Sequence, residues 1–399
     1  MKPHYQTAVA AVAVVFAAAA LGVTVTAAET LSSPLLVNEA SRRGESSVGV
    51  TETEVLLGQS APLTGPAAEI GRQMKLGANA YFQSVNEQGG VYGRKIRMIS
   101  LDDGYEPEKA AANTRTLIEQ NKVFALIGYV GTASSNAALP IFTDSKVPFL
   151  APLTGASSLR APFNPNIFNI RASYEDEARS IVNYLVNAAS NKRIAVLYQN
   201  DAYGESGLDG VRKALRALNL EPVALATVER NSVDVGKATK AIAAANPQTV
   251  IMITAYKSSA AFIKAMQVLH VPTQFWNVSF VGSQPLATEL GHAGQGVGIS
   301  QVVPFPWLGA MSATVDHKRL IGEGAVTFNT FEGYLAAKVF VEGLKRAGKN
   351  PTRGSFVRAL EGAGKIDLGG YPVQFSGSDH NGSKFVDLTV IGLNGKFVH

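Results

Sequence analysis

A chain of 399 residues, 46% of them hydrophobic and 17% charged, is long enough for two ordinary domains and apolar enough to fill their cores, which excludes a disordered chain. The net charge of +5 comes from Lys and Arg scattered among acids, and the short basic runs at 42–45 (RRGE) and 93–97 (GRKIR) do not sit among aromatic residues that could stack on bases, Tyr92 standing alone beside the second, so no nucleic-acid partner is expected. Cysteine is absent, which removes disulfides, thiol nucleophiles and lipid-modified cysteine anchors together.

Residues 1–28, MKPHYQTAVAAVAVVFAAAALGVTVTAA, hold Lys2 as their only charged group, then an apolar stretch from Ala8 to about Val25, then small residues at Ala27 and Ala28. That order is a secretory signal peptide, with cleavage expected after Ala27 or Ala28. A stretch of about 18 apolar residues just spans a bilayer, so an uncleaved anchor is the competing reading, but alanine-rich segments insert weakly. The expected compartment is the bacterial periplasm. Residues 29–50 lack periodicity and are expected to form an irregular lead-in.

From Val55 onward, apolar runs alternate with amphipathic stretches. VLLGQ, KIRMISLDD, VFALIGY and VPFLAP are strand candidates in the first part of the chain; RIAVLYQ, TVIMITAY and QFWNVSFVG are the candidates in the second. Between them QMKLGANAYFQSVNEQ, PEKAAANTRTLIEQ, YEDEARSIVNYLVNAA, GLDGVRKALRALN and SSAAFIKAMQVLH place apolar residues at helical spacing. Repeated βαβ units with apolar, non-alternating strands predict parallel sheets covered on both faces. The rhythm occurs twice, from Val55 to about Arg171 and from Arg193 to about Gln301, with Ser173 the expected helix cap between the runs. The fold class is therefore α/β, with two doubly wound lobes and a ligand site in the cleft between them. The helical stretch FEGYLAAKVFVEGLKRAGK and the segments YPVQFS and FVDLTVIG follow the second run, so each lobe is expected to be discontinuous in sequence.

Catalytic constellations do not emerge. The six histidines form no HExxH motif or close pair, so no metal or cofactor is expected. YGESG at 203–207 misses the nucleophile elbow by one residue, which makes Ser206 a turn or cap residue. Asp102 and Asp103 end a strand, where acids more often cap the next turn than act as a catalytic pair. The expectation is binding without reaction.

Three strand ends are rich in donors instead: GQSAPLTGPAAEIG at 58–71, GYVGTASSNA at 128–137 and APLTGASS at 151–158. Each precedes a predicted helix, whose first N–H groups lack intrahelical partners and carry partial positive charge. Thr132, Ser134, Thr154 and the adjoining N–H groups can hold a carboxylate there without Arg or Lys, although each hydroxyl alone can equally cap its own helix. From the second run, Tyr198, Tyr203, Tyr256, Trp276 and Phe280 lie near strand ends and are candidates for a partly apolar lid.

At these segments the sequence resembles the periplasmic branched-chain amino acid binding proteins, the type I solute receptors of ABC transporters. The likeness runs from about Val50 to the C-terminus and rests on VLLGQSAPLTGPAAEIG, VNEQGGVYGRKI with LDDGYEPEKAA, IGYVGTASSNAALP, VPFLAPLTGAS, RIAVLYQNDAYGESG and the EGYLAAKVFVEGL helix. It implies two α/β lobes joined by three crossover strands, with 51–171 plus about 305–368 in lobe 1 and 172–304 plus about 369–399 in lobe 2. It implies ligand contacts from Thr132, Leu153, Thr154 and Gly155 in one lobe and from Tyr203 and Tyr256 in the other. Ser279 stands where leucine-type relatives place a glutamate against the ligand ammonium, and the threonine of their second strand-end motif is Gly155 here, with Thr154 displaced by one. The resemblance thus leaves two ligand classes open, an amino acid and a branched or aromatic acid without the α-amino group. The implied partner is an inner-membrane ABC permease; a sensor that signals to a regulator through the same cleft is the alternative.

Overall fold

The computed structural model describes residues 47–399; the expected signal peptide and nearly all of the lead-in lie outside the described residues. Five parallel strands build the first sheet: β1 (Glu54–Ala61), β2 (Lys95–Asp102), β3 (Ala125–Ile127), β4 (Phe149–Leu150) and β5 (Ile167–Phe168), in the order β2-β1-β3-β4-β5. β1 and β2 pair in register from Glu54 opposite Lys95 to Ala61 opposite Asp102. Helices α1 (Ala68–Glu87), α2 (Pro107–Arg115) and α3 (Thr132–Asp144) connect the strands. The apolar residues of β3 are all buried because this strand lies centrally, covered on both faces.

The chain then enters a second α/β layer. It comprises α4 (Tyr174–Asn183), β6 (Ile194–Gln199), α5 (Ala202–Arg216), β7 (Ala224–Val228), α6 (Gly236–Ala244), β8 (Thr249–Ile253), α7 (Tyr256–Val268), β9 (Gln274–Asn277), α8 (Ser283–Leu290) and β10 (Gly298–Gln301). Ser173 caps α4 as expected, in a reciprocal capping box with Asp176. After β10 come α9 (Ser312–Ile321), α10 (Phe328–Ala347) and α11 (Arg353–Glu361), a small ribbon of β11 (Lys365–Asp367) and β12 (Pro372–Gln374), and the strands β13 (Asp387–Ile391) and β14 (Phe397–Val398). The last two extend the second sheet, whose order is β14-β13-β10-β9-β8-β6-β7, by antiparallel pairing at β10. α10 returns to the first lobe and lies against α1 with backbones in contact. A Cβ on Gly77 would fall 1.8 Å from the Thr330 carbonyl oxygen, and one on Gly333 would fall 2.2 Å from that of Met74, so these glycines make the close approach possible.

Three connections run between the sheets side by side. Tyr371, in the third, places its hydroxyl 2.9 Å from the Ile170 carbonyl oxygen of the first and 3.1 Å from the Val302 carbonyl oxygen of the second. The Asn169 N–H donates to the His380 carbonyl and the Gly382 N–H donates to the Asn169 carbonyl, at 2.9 and 2.8 Å. The fold is two doubly wound lobes joined by three strapped crossovers, as the alternating pattern and the resemblance imply.

Candidate functional site

Two neighbouring strand ends and one helix start meet at the base of the cleft. β3 ends in a loop through Gly131 (φ 97°), where a Cβ would strike the Tyr105 ring at 2.4 Å; only glycine fits this turn. Thr132 follows as the first residue of α3 and is buried. The β4 end runs alongside: the Leu153 N–H donates to the Tyr129 carbonyl at 2.7 Å, and the Leu153 carbonyl accepts from Gly131 at 3.2 Å. Leu153 thus spends its backbone on extending the ladder, and this sets Thr154 beside Thr132.

The two hydroxyls are 2.7 Å apart, and Thr154 donates to the Tyr174 hydroxyl at 3.2 Å. Tyr174 is the first residue of α4, and its N–H donates to the Gly155 carbonyl at 2.9 Å. The row Thr132, Thr154, Tyr174 therefore contains three O–H donors and two internal hydrogen bonds. One proton is left over. Burial pushes the Tyr174 phenol up to about 12, outweighing the opposing pull of Arg171, so the row stays neutral and acts as a donor. The Ser134 hydroxyl, in the first turn of α3, is buried and has no partner among the described residues.

The second lobe supplies an aromatic wall. Asp201 caps α5, accepting from the N–H groups of Tyr203 (2.9 Å) and Gly204 (3.3 Å), and this fixes Tyr203 at the helix start. The Tyr203 ring lies 5.3 Å from Tyr174 and 4.5 Å from Phe280, and Phe280 stacks on Tyr105 of the first lobe at 5.9 Å. The Gln199 amide donates to the Tyr105 hydroxyl at 3.2 Å, a hydrogen bond between the lobes beside this stack. The Tyr203 hydroxyl, fully buried, has no hydrogen-bond partner among the described residues.

Tyr256 stands apart from the hydroxyl row. It lines a surface cleft of about 430 Å³ with Glu69, Arg72 and Gln284, at the rim between the lobes. Trp276 packs on Tyr184 at 5.1 Å, and Tyr198 is only partly buried, so of the aromatic candidates Tyr203 and Phe280 form the inner wall.

Ser279 lies in a buried charge network that local sequence patterns do not show. Arg171, in the first crossover, donates through Nη2 to the Ser279 hydroxyl. Its Nε is 3.5 Å from Glu332 of α10, and Nη2 is 4.0 Å from Glu177 of α4. Glu177 in turn accepts from the Ser279 N–H at 2.7 Å and the Ser300 hydroxyl at 2.6 Å. Burial alone would lower the Arg171 pKa, but the two carboxylates outweigh it and hold the guanidinium charged; burial pushes the Glu332 carboxyl up. Arg160 donates to the carbonyls of Arg171 and Ala172, each at 3.0 Å, so two arginines stand against two glutamates. The network carries no spare negative charge.

Elsewhere the strand-end acids act as caps. Asp102 accepts from the N–H groups of Leu63 (2.8 Å), Thr64 (3.2 Å) and Gly104 (3.0 Å), while Asp103 accepts from the Ser60 hydroxyl at 2.7 Å and the Tyr105 N–H at 2.8 Å. Ser206 lies within α5 and accepts from the Ser157 N–H at 3.4 Å. No cluster of three potential metal-ligating side chains occurs among the described residues.

Two doubly wound α/β lobes joined by three crossovers, with a row of buried hydroxyls where they meet, define a two-lobed solute receptor. The chain belongs to the periplasmic binding protein family, whose model matches residues 54–395. A substrate-binding periplasmic protein from Ralstonia solanacearum is 32% identical, with a TM-score of 0.81 over 86% of this chain and 99% of that one. A possible leucine/isoleucine/valine-binding protein from Rhodopirellula baltica SH 1 is 29% identical, with a TM-score of 0.83 over 89% and 98%. An amino acid binding protein of Pseudomonas aeruginosa is 25% identical over 60% of this chain; the match spans 64% of that relative, a little under two thirds.

Proposed function

We propose that this protein is the periplasmic solute-binding component of an ABC importer, closing its lobes on a small branched or aromatic carboxylate and presenting it to the permease. The observation that carries the reading is the buried row Thr132, Thr154, Tyr174, with one proton more than its internal hydrogen bonds consume. A carboxylate accepts that proton and those of the α3 first turn, and an anion at a helix N-terminus gains from the dipole as well. Tyr203 contributes from the opposite lobe, so full binding free energy is available only when the lobes meet, which makes closure ligand-dependent.

The charge network bears on the ligand's other end. A buried ammonium needs a carboxylate whose charge is not already matched, and here the charges of Glu177 and Glu332 are balanced by Arg171 and Arg160, while Oε1 of each glutamate makes no hydrogen bond among the described residues. This favours an acid without an α-amino group over leucine. The fold itself accommodates both kinds: a solute-binding protein from R. palustris holds benzoate, and a branched-chain amino acid transporter protein from Thermus thermophilus holds valine, at TM-scores of 0.77 and 0.78. Calorimetric titration with leucine, isoleucine and valine against their 2-oxo analogues and benzoate tests the reading. Tight leucine binding with no response to the acids would overturn the ligand class.

A further inference from the structure

Beside the stack of Tyr105 on Phe280, two loops from opposite lobes bond directly to each other. The first follows β2 and turns at Gly104 and Tyr105, both at positive φ (58° and 68°). It is held from within: Asp102 accepts from the Gly104 N–H at 3.0 Å, Asp103 from the Tyr105 N–H at 2.8 Å, and the Asp103 carbonyl from the Glu106 N–H at 2.9 Å. A loop so fixed sets the Gly104 carbonyl and the Glu106 side chain in place. Glu106 precedes α2, but its side chain makes no cap hydrogen bond to that helix, so the carboxylate is available to the other lobe.

The second loop follows β7. The Ser232 N–H donates to the Glu229 carbonyl at 3.1 Å, closing a turn with Asn231 at φ 59°, a conformation that Asn adopts more readily than most residues. Asn231 Nδ2 donates to the Gly104 carbonyl at 3.1 Å and to Glu106 Oε1 at 2.8 Å, so one NH2 group with two protons meets two acceptors of the opposite lobe. Beside it, Arg230 has Nε 3.1 Å from Asp201 of its own lobe and Nη1 3.8 Å from Glu106. The Glu106 side chain is 44% exposed, so that ion pair contributes little and the amide bonds carry the contact.

None of these groups belongs to the row Thr132, Thr154, Tyr174. Every donor and acceptor is the protein's own, and the bonds exist only while the lobes are together. We propose that residues 104–106 and 230–231 form a latch that holds a measurable fraction of the protein closed with no ligand bound. A ligand then adds to a closed population that exists without it. Because the latch uses no ligand group, it scales the apparent affinity for every ligand by the same factor, through the fraction of protein already closed. It stands whatever the chemistry of the ligand.

The absence of cysteine makes the test direct. Arg115→Cys in α2 and Lys240→Cys in α6, exposed helix positions on opposite lobes, take a pair of dyes, and single-molecule energy transfer reads their separation in protein stripped of bound solute by denaturation and refolding. The solute-free labelled parent shows a high-transfer population. Asn231→Asp keeps the size of the side chain and its tolerance of positive φ, but sets a carboxylate against Glu106 and the Gly104 carbonyl; the high-transfer population falls about fivefold or more, the worth of one ordinary hydrogen bond. Adding Glu106→Gln supplies a donor to that carboxylate and recovers part of the loss. Glu106→Ala alone, which uncaps no helix, shifts the population in the same direction as Asn231→Asp. Thermal melts near that of the parent show that each fold is intact. Absence of the high-transfer population from the solute-free parent, or its survival in both Asn231→Asp and Glu106→Ala, overturns the latch.

Discussion

Arg171 and Ser279 are 108 positions apart in sequence, yet the guanidinium of one donates to the hydroxyl of the other inside the protein. The bond joins the first crossover to the turn after β9, and the same guanidinium faces Glu332 of the first lobe and Glu177 of the second. Arg171 therefore holds the junction of the lobes electrostatically. Arg171→Met leaves two buried carboxylates without their cation and is expected to cost about 3–5 kcal/mol, read from urea unfolding. Adding Glu332→Gln to Arg171→Met recovers part of that loss, a coupling that a double-mutant cycle measures. Purely additive costs would show that the pair does not interact.

The row Thr132, Thr154, Tyr174 makes a sharper claim about binding. Thr154→Val keeps shape but removes the central hydroxyl, splitting the row and leaving Thr132 without its 2.7 Å partner. Ligand affinity is expected to fall by about 1–3 kcal/mol for Thr154→Val and similarly for Thr132→Ala. Thr132→Ser, which keeps the hydroxyl, stays near the wild type. Unchanged affinity with a lowered melting temperature would instead make these hydroxyls helix caps.

Gly155 tests the packing that brings lobe 2 to this row. A Cβ there would lie 2.6 Å from the Tyr174 backbone nitrogen and 2.7 Å from its ring. Gly155→Ala must displace the start of α4, at about 1–3 kcal/mol of overpacking, and it draws the Tyr174 hydroxyl away from Thr154. Stability and affinity should fall together in this variant, as chemical denaturation and titration show.

The lobes were legible because β1, β3, β6 and β8 are apolar runs bounded by glycine and amphipathic helices, a pattern set by burial on both faces. β7 escaped because it is an edge strand of small residues, ALATV, with two of its five residues exposed, which gives no apolar run to notice. α6 and α8 escaped for a related reason: GKATKAIAA and SQPLATEL carry few large apolar residues to mark a face. At the site, Thr132, Thr154, Tyr203 and Phe280 were visible as residues that follow strands. Tyr105, Tyr174, Glu177 and Glu332 were not, since their meaning lies in contacts between distant parts of the chain. One local signal existed for Arg171: it is the only charged residue in the run NPNIFNIRAS at 164–173, and a lone arginine beside a buried strand needs partners.

Tyr371 gives the hinge its own test. Its hydroxyl lies within reach of the Ile170 and Val302 carbonyls, so one side chain straps all three crossovers. Tyr371→Phe preserves the ring and strands buried carbonyls, an expected cost of about 1–2 kcal/mol. Hydrogen exchange should accelerate at 169–173 and 302–306 before it changes in the two sheets. Faster exchange spread evenly through the protein would mean that the strap contributes to global stability alone.

Two buried groups, His317 and Asp103, contribute to acid stability in opposite directions. His317, fully buried beside Phe331 and Tyr334, has its pKa pushed down from 6.5 to about 4 by burial, which the Thr330 backbone and Asp316 only partly oppose. Above pH 6.5 the histidine is neutral in both states and its contribution is intact. As pH falls from 6.5 to about 4 the unfolded chain takes up a proton that the folded one refuses, so up to about 3 kcal/mol of stability is lost across that window. Asp103 has the reverse sign: burial holds its pKa at about 6, against an ordinary 3.8, so the folded state takes the proton first and gains stability as pH falls from about 6 towards 3.8. Between pH 6 and 4 the two contributions oppose each other. Urea unfolding at half-unit steps from pH 7 to 4 should therefore show a shallow decline in the wild type, a steeper one in Asp103→Asn, and a flat or rising profile in His317→Phe. A His317→Phe profile parallel to the wild type would show that the histidine does not carry the acid sensitivity.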